Sequence, residues 1–541
     1  MASMVVCPEP PAAKVAGDIL ARGGNAADAA IAAAFAQGVT NPLMCGLSGT
    51  AILLHMDRDG RATVLNGECA IGSGPVPAAW IESLSGRAET IGRFILAGEH
   101  NQIGPPSTMV PGFVACCWEL FHRLGSGSFL WAELLEPSIR LAVDGFEVYP
   151  YVAESWVLHE DGPAASRPGY PSLEAKLQCD PAARASYLRN GTAAYVIGDL
   201  FVQRVCGETL DHLARAGGDD FYHGAIGRAM AEDLAGRGSL VRAEDVTGYR
   251  SVEQPVLHAT YHGLDICTTP PPSPGVQVLE MLAILERLGI GQWPRAAPRT
   301  IDAIAQVMRV GFVDNRDIKA VLIENAALWA QAMTDPRRID AWARRIAGGE
   351  RISGSPEAQG TGTTHLVVVD AEGACVSFTH SIGSVAGAGA ITPSLGFLHN
   401  NFLGHFDPRP GYPMSIVPGR RIGSGMPTLV RHDRKVRLVL GAPGGSRIIT
   451  SILQVLLHAI DHGLPIDAAV AEPRFHSEEG FLVHLEPTWP ESMREALEAL
   501  GCEVQWNRYQ ARVQAIEIDA AGGLIAGADP RGGAVGRGAP P

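Results

Sequence analysis

The sequence has a deficit of positive charge and no run of basic residues. It contains 43 lysines and arginines against 57 aspartates and glutamates, which gives a net charge of −14 at pH 7. A polyanion such as nucleic acid, or an anionic membrane surface, is bound by clustered cations. The chain is therefore expected to bind neither nucleic acid nor a membrane.

Other common signals are also missing. The ten cysteines form no C-x-x-C pair and no cluster with metal-ligand spacing, so we expect no metal and no cofactor. The Ala-rich run 26–39 is interrupted by polar residues and is too short to span a bilayer. The first residues, MASMVVCPEPP, lack the basic and apolar regions of a signal peptide. We therefore expect a cytoplasmic protein with reduced thiols.

What the chain does have is a globular composition, with 46% hydrophobic residues, 63 glycines and 38 prolines. Such a composition predicts a large core and many tight turns. Apolar patterns predict a buried small-residue helix from Asp28 to Phe35, and another helix from Val276 to Leu288 after the proline-rich loop 270–275. The segment 522–541 is rich in glycine and proline and is expected to fray.

The pattern changes between Gly348 and Gly362. This segment is rich in glycine and serine, lacks periodicity, and is predicted to be exposed and flexible. The strand HLVVVD, an acidic-glycine turn and the strand ACVSFTHSI follow it, which is the pattern of a β-hairpin. A later strand, VRLVLGAP, leads through a glycine pair into an apolar helix from Ile448 to Ile460.

Thr363 lies where the flexible segment ends and the hairpin begins. Its hydroxyl is placed to attack the carbonyl of Gly362, which would turn the peptide bond into an ester that water can cleave. The new N-terminal threonine would combine nucleophile and base, because its α-amine, with an ordinary pKa of about 8, can accept the hydroxyl proton. The alternative is an ordinary loop entering a strand, where β-branched threonine is common.

Gly444 and Gly445 lie in the segment GAPGGSR, between a strand and a helix. Consecutive glycines at a helix N-terminus can direct their backbone N–H groups towards one point, where they stabilise developing negative charge. The two glycines are therefore candidates for an oxyanion hole. A tight turn between strand and helix is the alternative interpretation.

Several segments resemble, in order along the chain, motifs of the γ-glutamyltransferases, also called glutathione hydrolases, which are N-terminal-nucleophile enzymes. The resemblance implies an α/β fold, a four-layer αββα sandwich cut into residues 1–362 and 363–541. The two parts would remain associated as a heterodimer, and a higher oligomer stays open. The matching segments are GGNAADAAIAAAFAQGVTNP, GDDFYHGAIG with EDVTGY, PPPSPG, TTHLVVVDAEGACVSFT and GAPGGSRIITSILQ.

The resemblance also implies roles for individual residues. Thr363 takes the position of the nucleophile, so that the cleavage site lies between Gly362 and Thr363. Gly444 and Gly445 take the oxyanion positions. Ser381 stands where the family has a threonine whose hydroxyl steadies the amine of the nucleophile, and serine keeps that hydroxyl.

The positions that bind the glutamyl head group differ from the family pattern. Gly67 stands where the family has an arginine for the substrate carboxylate, which arginine binds in bidentate fashion. His405 stands where the family has an aspartate for the substrate ammonium. The remaining replacements are Phe402 for an amide, Gly383 for an asparagine and Gly425 for one serine of a pair, of which Ser424 is left.

These replacements favour an amidohydrolase or acylase that acts on a small non-glutamyl amide, such as a dicarboxylic monoamide. A genuine γ-glutamyltransferase is one alternative, in which Arg420 or Arg421 would hold the carboxylate and Asp407 the amine. A non-catalytic relative that keeps the fold is another, although the intact Thr363 argues against it.

Overall fold

The computed structural model of the chain describes residues 2–88, 92–158, 170–354, 362–508 and 510–539. Residues 355–361, which belong to the predicted flexible segment, therefore lie outside the described residues. Gly362 and Thr363 lie inside them.

The described strands form two large antiparallel sheets and three small ones. In chain order they are β1 (Ser3–Cys7), β2 (Thr50–Met56), β3 (Ala62–Gly67), β4 (Leu84–Ala88), β5 (Arg93–Leu96), β6 (Phe146–Glu147), β7 (Leu200–Phe201), β8 (Val252–Gln254), β9 (Leu257–Tyr261), β10 (Leu264–Thr268), β11 (Gly362–Val369), β12 (Cys375–Gly383), β13 (Thr428–His432), β14 (Lys435–Gly441), β15 (Phe475–His476), β16 (Leu482–Leu485), β17 (Glu503–Trp506), β18 (Gln514–Ile518), β19 (Leu524–Ala528) and β20 (Val535–Ala539).

No helix of the described residues is both long and apolar enough to cross a membrane. In chain order the α-helices are α1 (Pro10–Ala21), α2 (Ala26–Thr40), α3 (Ala78–Glu82), α4 (Phe113–Leu124), α5 (Trp131–Val143), α6 (Pro150–Ala153), α7 (Leu173–Gln178), α8 (Pro181–Tyr187), α9 (Arg204–Ala216), α10 (Asp220–His223), α11 (Ala225–Gly236), α12 (Ala243–Gly248), α13 (Gly275–Leu288), α14 (Pro298–Leu322), α15 (Ala326–Met333), α16 (Pro336–Ala347), α17 (Arg447–Ile460), α18 (Ile466–Ala471) and α19 (Glu491–Ala499).

The two large sheets pack face to face. Their strand orders are β20-β1-β11-β12-β2-β3-β8 and β19-β18-β14-β13-β10-β9. Leu54 and Val367 of the first sheet share a buried cluster with Leu429 and Val439 of the second. Because neighbouring residues of a strand point to opposite faces, each sheet has a second apolar face. Helices α1, α2, α4 and α5 cover that of the first sheet, and α13, α14 and α17 that of the second. The αββα sandwich follows from this layering.

The predicted small-residue helix is α2, which is buried along nearly its whole length. Asn25 and Asp28 cap each other's backbone N–H groups at its start, with distances of 3.0 and 3.1 Å. The backbone N–H of Ala26 donates to Asp370 Oδ2 at 2.9 Å. Asp370 belongs to the turn between β11 and β12, and a carboxylate is stabilised at a helix N-terminus. The helix therefore fixes one end of the predicted hairpin.

The predicted β-hairpin consists of β11 and β12, and its register places Thr363 opposite Ser381. The pairing shifts between Gly362 and Thr363, where regular strand geometry ends. The two hydroxyl-bearing side chains therefore share one face at the end of the hairpin.

The expectation that the segment 522–541 frays is wrong for its described residues. Strand β19 pairs with β18, and β20 pairs with β1 in a register that joins Val5 to Arg537. Ladder hydrogen bonds use backbone groups, so an edge strand can form from a glycine-rich segment that offers few apolar side chains.

A buried carboxyl group supports the start of β11. Glu9 Oε1 accepts hydrogen bonds from Thr364 Oγ1 at 2.7 Å and from Asn41 Nδ2 at 2.8 Å. Glu9 Oε2 accepts a hydrogen bond from Gln37 Nε2 at 2.5 Å, and Gln37 Oε1 lies 2.9 Å from His380 Nε2. Burial raises the pKa of Glu9, although its three donors act in the opposite direction. The network ties α2 to the residue that follows the predicted nucleophile.

Replacing Glu9 by glutamine should change the pH dependence of stability. The pKa of Glu9 is raised in the folded state, so the unfolded chain ionises first and the parent loses stability as pH rises above about 4.3. Glutamine does not ionise, so the free energy of unfolding of Glu9→Gln relative to the parent should increase with pH. Urea unfolding at several pH values in a Thr363→Ala background, which removes the predicted nucleophile, measures this difference. A difference that does not vary with pH would contradict the assignment, and the exposed Glu232→Gln is the control.

Candidate active site

A cleft at the start of the hairpin collects most of the predicted site residues. Its empty volume is about 930 Å³, part of which is open to solvent. Gly444 is not among the described residues that line it, and neither is Gly425. The predicted residues that do line it are Thr363, Ser381, Gly383, Phe402, His405, Ser424 and Gly445.

A chain of hydrogen bonds joins the predicted nucleophile to the carbonyl before it. Thr363 Oγ1 donates to Ser381 Oγ at 3.1 Å, and Ser381 Oγ donates to the carbonyl oxygen of Gly362. The backbone N–H of Gly383 donates to Ser381 Oγ at 3.0 Å. The Ser381 hydroxyl thus accepts from Thr363 and donates to Gly362, which is the arrangement that a proton relay between them requires.

The glycine pair lies just before α17. Gly444 has φ of 141° and Gly445 has φ of 63°, a region of backbone conformation that favours glycine. A Cβ atom at Gly444 would lie 2.7 Å from Ala511 Cβ, so this residue packs against the protein. Gly445 lines the cleft with Thr363, two residues before the N-terminus of the helix. Of the two, Gly445 is therefore the better placed to stabilise negative charge there.

Gly67, which the motif resemblance aligns with an arginine of the family, has no space for a side chain. A Cβ atom at Gly67 would lie 2.5 Å from Cys116 Cβ and 2.5 Å from the carbonyl oxygen of Gly112. A Cβ atom at Gly425 would lie 2.6 Å from Thr379 Cβ. Real Cβ atoms do not approach other atoms this closely, so neither position accommodates a longer side chain without movement of the backbone around it.

Gly383 also lacks space for a side chain. Its φ is 107°, and a Cβ atom there would lie 2.3 Å from Asn401 Oδ1. Asn401 is held in place, since its Nδ2 donates to the carbonyl oxygen of Gln102 at 3.0 Å and to Ser384 Oγ at 2.8 Å. The asparagine that the resemblance implies for this position in the family therefore has no space here.

Ser424 is held by a buried carboxyl group that the sequence analysis did not identify. Glu68 Oε1 accepts hydrogen bonds from the backbone N–H of Ser424 at 2.8 Å and from Ser273 Oγ at 2.7 Å. Glu68 Oε2 accepts one from Asn66 Nδ2 at 2.8 Å. Burial raises the pKa of Glu68, while these hydrogen bonds lower it. Glu68 thereby joins Ser424 to the proline-rich loop before α13.

His405 lies in an electropositive part of the cleft. Burial lowers its pKa, and the positive charges of Arg93, Lys319 and Arg87 lower it further. The imidazole is therefore neutral near pH 7 and offers no negative charge to a substrate ammonium. Arg87 and Lys319 also line the cleft. Sequence reasoning missed both, because one lies on β4 and the other on α14 and only the fold brings them together.

The three residues considered as replacements for the head-group contacts lie elsewhere. Arg421 donates to the backbone oxygen and to Oδ1 of Asn66, each at 2.8 Å. Arg420 donates to two backbone carbonyl oxygens. Asp407 accepts hydrogen bonds from Arg409 at 2.7 and 3.0 Å. None of the three is among the described residues that line the cleft, so they do not supply the missing contacts here.

The histidines near the hairpin serve as neutral hydrogen-bond partners. His365 Nδ1 lies 2.8 Å from Thr379 Oγ1, and His380 Nε2 lies 2.9 Å from Gln37 Oε1. Burial lowers the pKa of each ring to about 3. Within the part of the chain that the structure describes, no group of three or more histidine, cysteine, aspartate or glutamate side chains is arranged to hold a metal ion.

Comparison with known proteins identifies the family to which the chain belongs. The sequence model described as Gamma-glutamyltranspeptidase matches residues 12–539. The chain belongs to this family. The resemblance seen in the sequence motifs is therefore confirmed, and so is the prediction of an enzyme of the γ-glutamyltransferase family.

The proteins similar to this chain include acylases and glutathione hydrolases. The Acylase ACY 1 proenzyme of Pseudomonas sp. (strain SE83) is 32% identical over 515 residues, which cover 93% of this chain and 87% of that protein. The Glutathione hydrolase proenzyme of Escherichia coli (strain K12) is 28% identical over 561 residues, with coverage of 98% and 90%. The crystal structure of cephalosporin acylase from Bacillus halodurans matches with a TM-score of 0.82 and 26% identity, with coverage of 99% and 95%. The predicted fold is therefore confirmed.

Restoring the family's arginine at position 67 should not create a glutamyl site. The new side chain would overlap Cys116 and Gly112, and overpacking of this kind costs about 1–3 kcal/mol or more. We expect Gly67→Arg to lower the melting temperature and to gain no hydrolysis of γ-glutamyl-p-nitroanilide. Gly236→Ala is the control, because nothing lies within 4 Å of a Cβ atom there. A Gly67→Arg variant that melts like the parent and cleaves the γ-glutamyl substrate would refute the steric explanation.

Proposed function

We propose that the chain cuts itself between Gly362 and Thr363, and that Thr363 then hydrolyses a small amide whose acyl group is not γ-glutamyl. The observation that carries this proposal is the hydrogen-bonded series from Thr363 Oγ1 through Ser381 Oγ to the carbonyl oxygen of Gly362. It joins a nucleophile, a proton carrier and the carbonyl group to be attacked at the wall of a cleft.

Self-cleavage follows from this series. Thr363 Oγ1 attacks the carbonyl carbon of Gly362, and its proton passes to Ser381 Oγ while the proton of Ser381 passes to the carbonyl oxygen. As the hydroxyl of this tetrahedral intermediate gives up its proton and the amide nitrogen takes one up, the C–N bond breaks and leaves an ester on Thr363 together with a free α-amine. Water hydrolyses the ester, which gives chains 1–362 and 363–541.

The processed enzyme would use the same residues on its substrate. The α-amine of Thr363 accepts the hydroxyl proton as Oγ1 attacks the amide carbon, and it donates a proton to the amine that leaves. The N–H group of Gly445, before α17, is the candidate donor to the oxyanion, and one such donor is worth about 10²–10³ in turnover by analogy. Ser381 would hold the α-amine. Water then releases the acyl group from Thr363.

The closed glycine positions and the neutral His405 support a non-glutamyl acyl group. A buried carboxylate requires arginine or several donors, and a buried ammonium requires an acid, yet Gly67 leaves no space for the first and His405 lacks the charge for the second. The acylases among the relatives agree with this choice. The glutathione hydrolases among them favour γ-glutamyl hydrolysis as the second candidate.

Processing provides the direct test of the Thr363 assignment. We expect the parent to give two fragments on a denaturing gel without added protease, with the small one beginning at Thr363. Thr363→Ala should give one uncut chain, since the attacking hydroxyl is gone. Ser381→Ala should slow the cut strongly, while Ser381→Thr should retain it because threonine keeps the hydroxyl.

The control for these variants is Thr192→Ala, an exposed threonine on another part of the surface, which should process like the parent. A small fragment that begins at Thr361 or Thr364, or a Thr363→Ala chain that is still cut, would show that another residue is the nucleophile.

A further inference from the structure

A buried lysine lies behind the wall of the cleft that contains Thr363. Lys176 belongs to α7, and only 1% of its surface is exposed. Its Nζ donates hydrogen bonds to Ser384 Oγ and, at 2.7 Å, to the carbonyl oxygen of Val385. Lysine is almost never buried to this extent unless its amine has partners. The two contacts therefore account for a side chain that is costly to remove from water.

The surroundings of this amine disfavour its charged form. Burial lowers the pKa of Lys176, and the positive charge of Arg93 lowers it further, whereas Glu99 and Cys179 act in the opposite direction. Nζ also lies 5.8 Å from the centre of the Tyr170 ring. Both hydrogen-bond acceptors of Nζ are uncharged oxygens, and a neutral amine has two N–H groups, one for each. The hydrogen bonds of Lys176 therefore do not depend on its charge.

Ser384 joins the end of β12 to a second segment of the cleft wall. Its hydroxyl oxygen accepts from Asn401 Nδ2 at 2.8 Å, and its backbone N–H donates to Asn401 Oδ1 at 3.0 Å. Gly383, which precedes Ser384, and Phe402, which follows Asn401, both line the cleft. Lys176 therefore contacts the residue that ties the two segments together.

The N–H group of Gly383 directs the hydroxyl of the proposed relay. It donates to Ser381 Oγ at 3.0 Å, and Thr363 Oγ1 donates to the same oxygen at 3.1 Å. A hydroxyl oxygen has two lone pairs and one proton. With both lone pairs occupied, the proton of Ser381 is left for the carbonyl oxygen of Gly362, to which it is donated. The orientation of the relay therefore depends on where Gly383 is held.

Helix α7 packs closely against the loop that follows β12. A Cβ atom at Gly389, whose φ is 66°, would lie 2.5 Å from Lys176 Cβ and 2.5 Å from the carbonyl oxygen of Lys176. Removal of the amine would leave the carbonyl oxygen of Val385 without this donor. Buried backbone groups are costly to leave unpaired, so we expect the segment 383–385 to shift when the amine is lost.

We propose that Lys176 is a positioning residue for the relay, which holds the segment 383–385 so that the N–H of Gly383 is directed at Ser381 Oγ. This inference rests on the proposed function and adds to it a residue from a distant part of the chain. Lys176 is not among the described residues that line the cleft. It therefore acts through its hydrogen bonds on the attack by Thr363 and not on a substrate.

The test follows self-cleavage of the full chain after cell-free synthesis, with the cut fraction measured on a denaturing gel over time. We expect Lys176→Met to slow the cut by about 10–10²-fold, since displacement of a catalytic group by ~1 Å has effects of this size. Ser384→Ala removes the other side of the same hydrogen bond and should also slow the cut. Ser384→Thr keeps the hydroxyl and should cut at nearly the parent rate. The double variant Lys176→Met/Ser384→Ala should be less impaired than the product of the two single effects, because the changes share one interaction.

Two further measurements separate positioning from a general loss of structure. Leu497→Ala leaves a cavity in the buried face of α19, outside the cleft. It should lower the melting temperature and still cut like the parent. Hydroxylamine cleaves esters, and it should not restore the rate of Lys176→Met, because the impaired step is the formation of the ester.

The outcomes separate this inference from the proposed function. A folded Lys176→Met chain that cuts at the parent rate, or whose cut is restored by hydroxylamine, would overturn the role of Lys176 and leave the Thr363 mechanism in place. A parent chain that is not cut would contradict the proposed function itself. If Lys176→Met yields no folded chain, the Ser384 variants decide, and equal rates for Ser384→Ala and Ser384→Thr would count against the inference.

Discussion

The site depends on one contact, the 3.1 Å hydrogen bond between Thr363 Oγ1 and Ser381 Oγ across β11 and β12. A slip of one residue in this pairing would turn one of the two side chains to the other face of the sheet. Two polar anchors oppose such a slip. Asp370, in the hairpin turn, accepts from the N-terminus of α2, and Glu9 accepts from Thr364 at the other end of β11. The register thus depends on two buried carboxyl groups, Asp370 and Glu9, and each is matched by hydrogen-bond donors.

The proposed preference for a non-glutamyl substrate depends largely on absent side chains. The motif resemblance aligns Gly67, Gly383 and Gly425 with family positions for a glutamyl head group. At each of the three a Cβ atom would come within 2.6 Å of a neighbouring atom. Close packing therefore excludes side chains at these positions, and we expect no single substitution to restore the contacts to a glutamyl head group. The cleft is lined by neutral His405 and by the cations Arg87 and Lys319.

Local patterns in the sequence were enough to predict the hairpin and the helices α2, α13 and α17, because their periodicity, turns and caps lie within a few residues. The motif resemblance predicted the sandwich and seven of the residues that line the cleft. What the sequence did not reveal depends on contacts between distant segments. The pairing of β20 with β1 uses backbone groups that have no sequence signature. Arg87, Lys319 and Glu68 became recognisable only when the fold placed them beside the cleft, and Gly444 proved to pack against Ala511 instead of lining it.

The proposed mechanism requires that Thr363 carries the acyl group during turnover. Processed enzyme mixed with an acyl p-nitroanilide, quenched in acid during the burst and digested, can be mapped by mass spectrometry. We predict an added acyl mass on the peptide that begins at Thr363, attached as an ester that hydroxylamine removes. An unmodified Thr363 peptide, with the acyl group on another residue of either chain, would contradict the central claim.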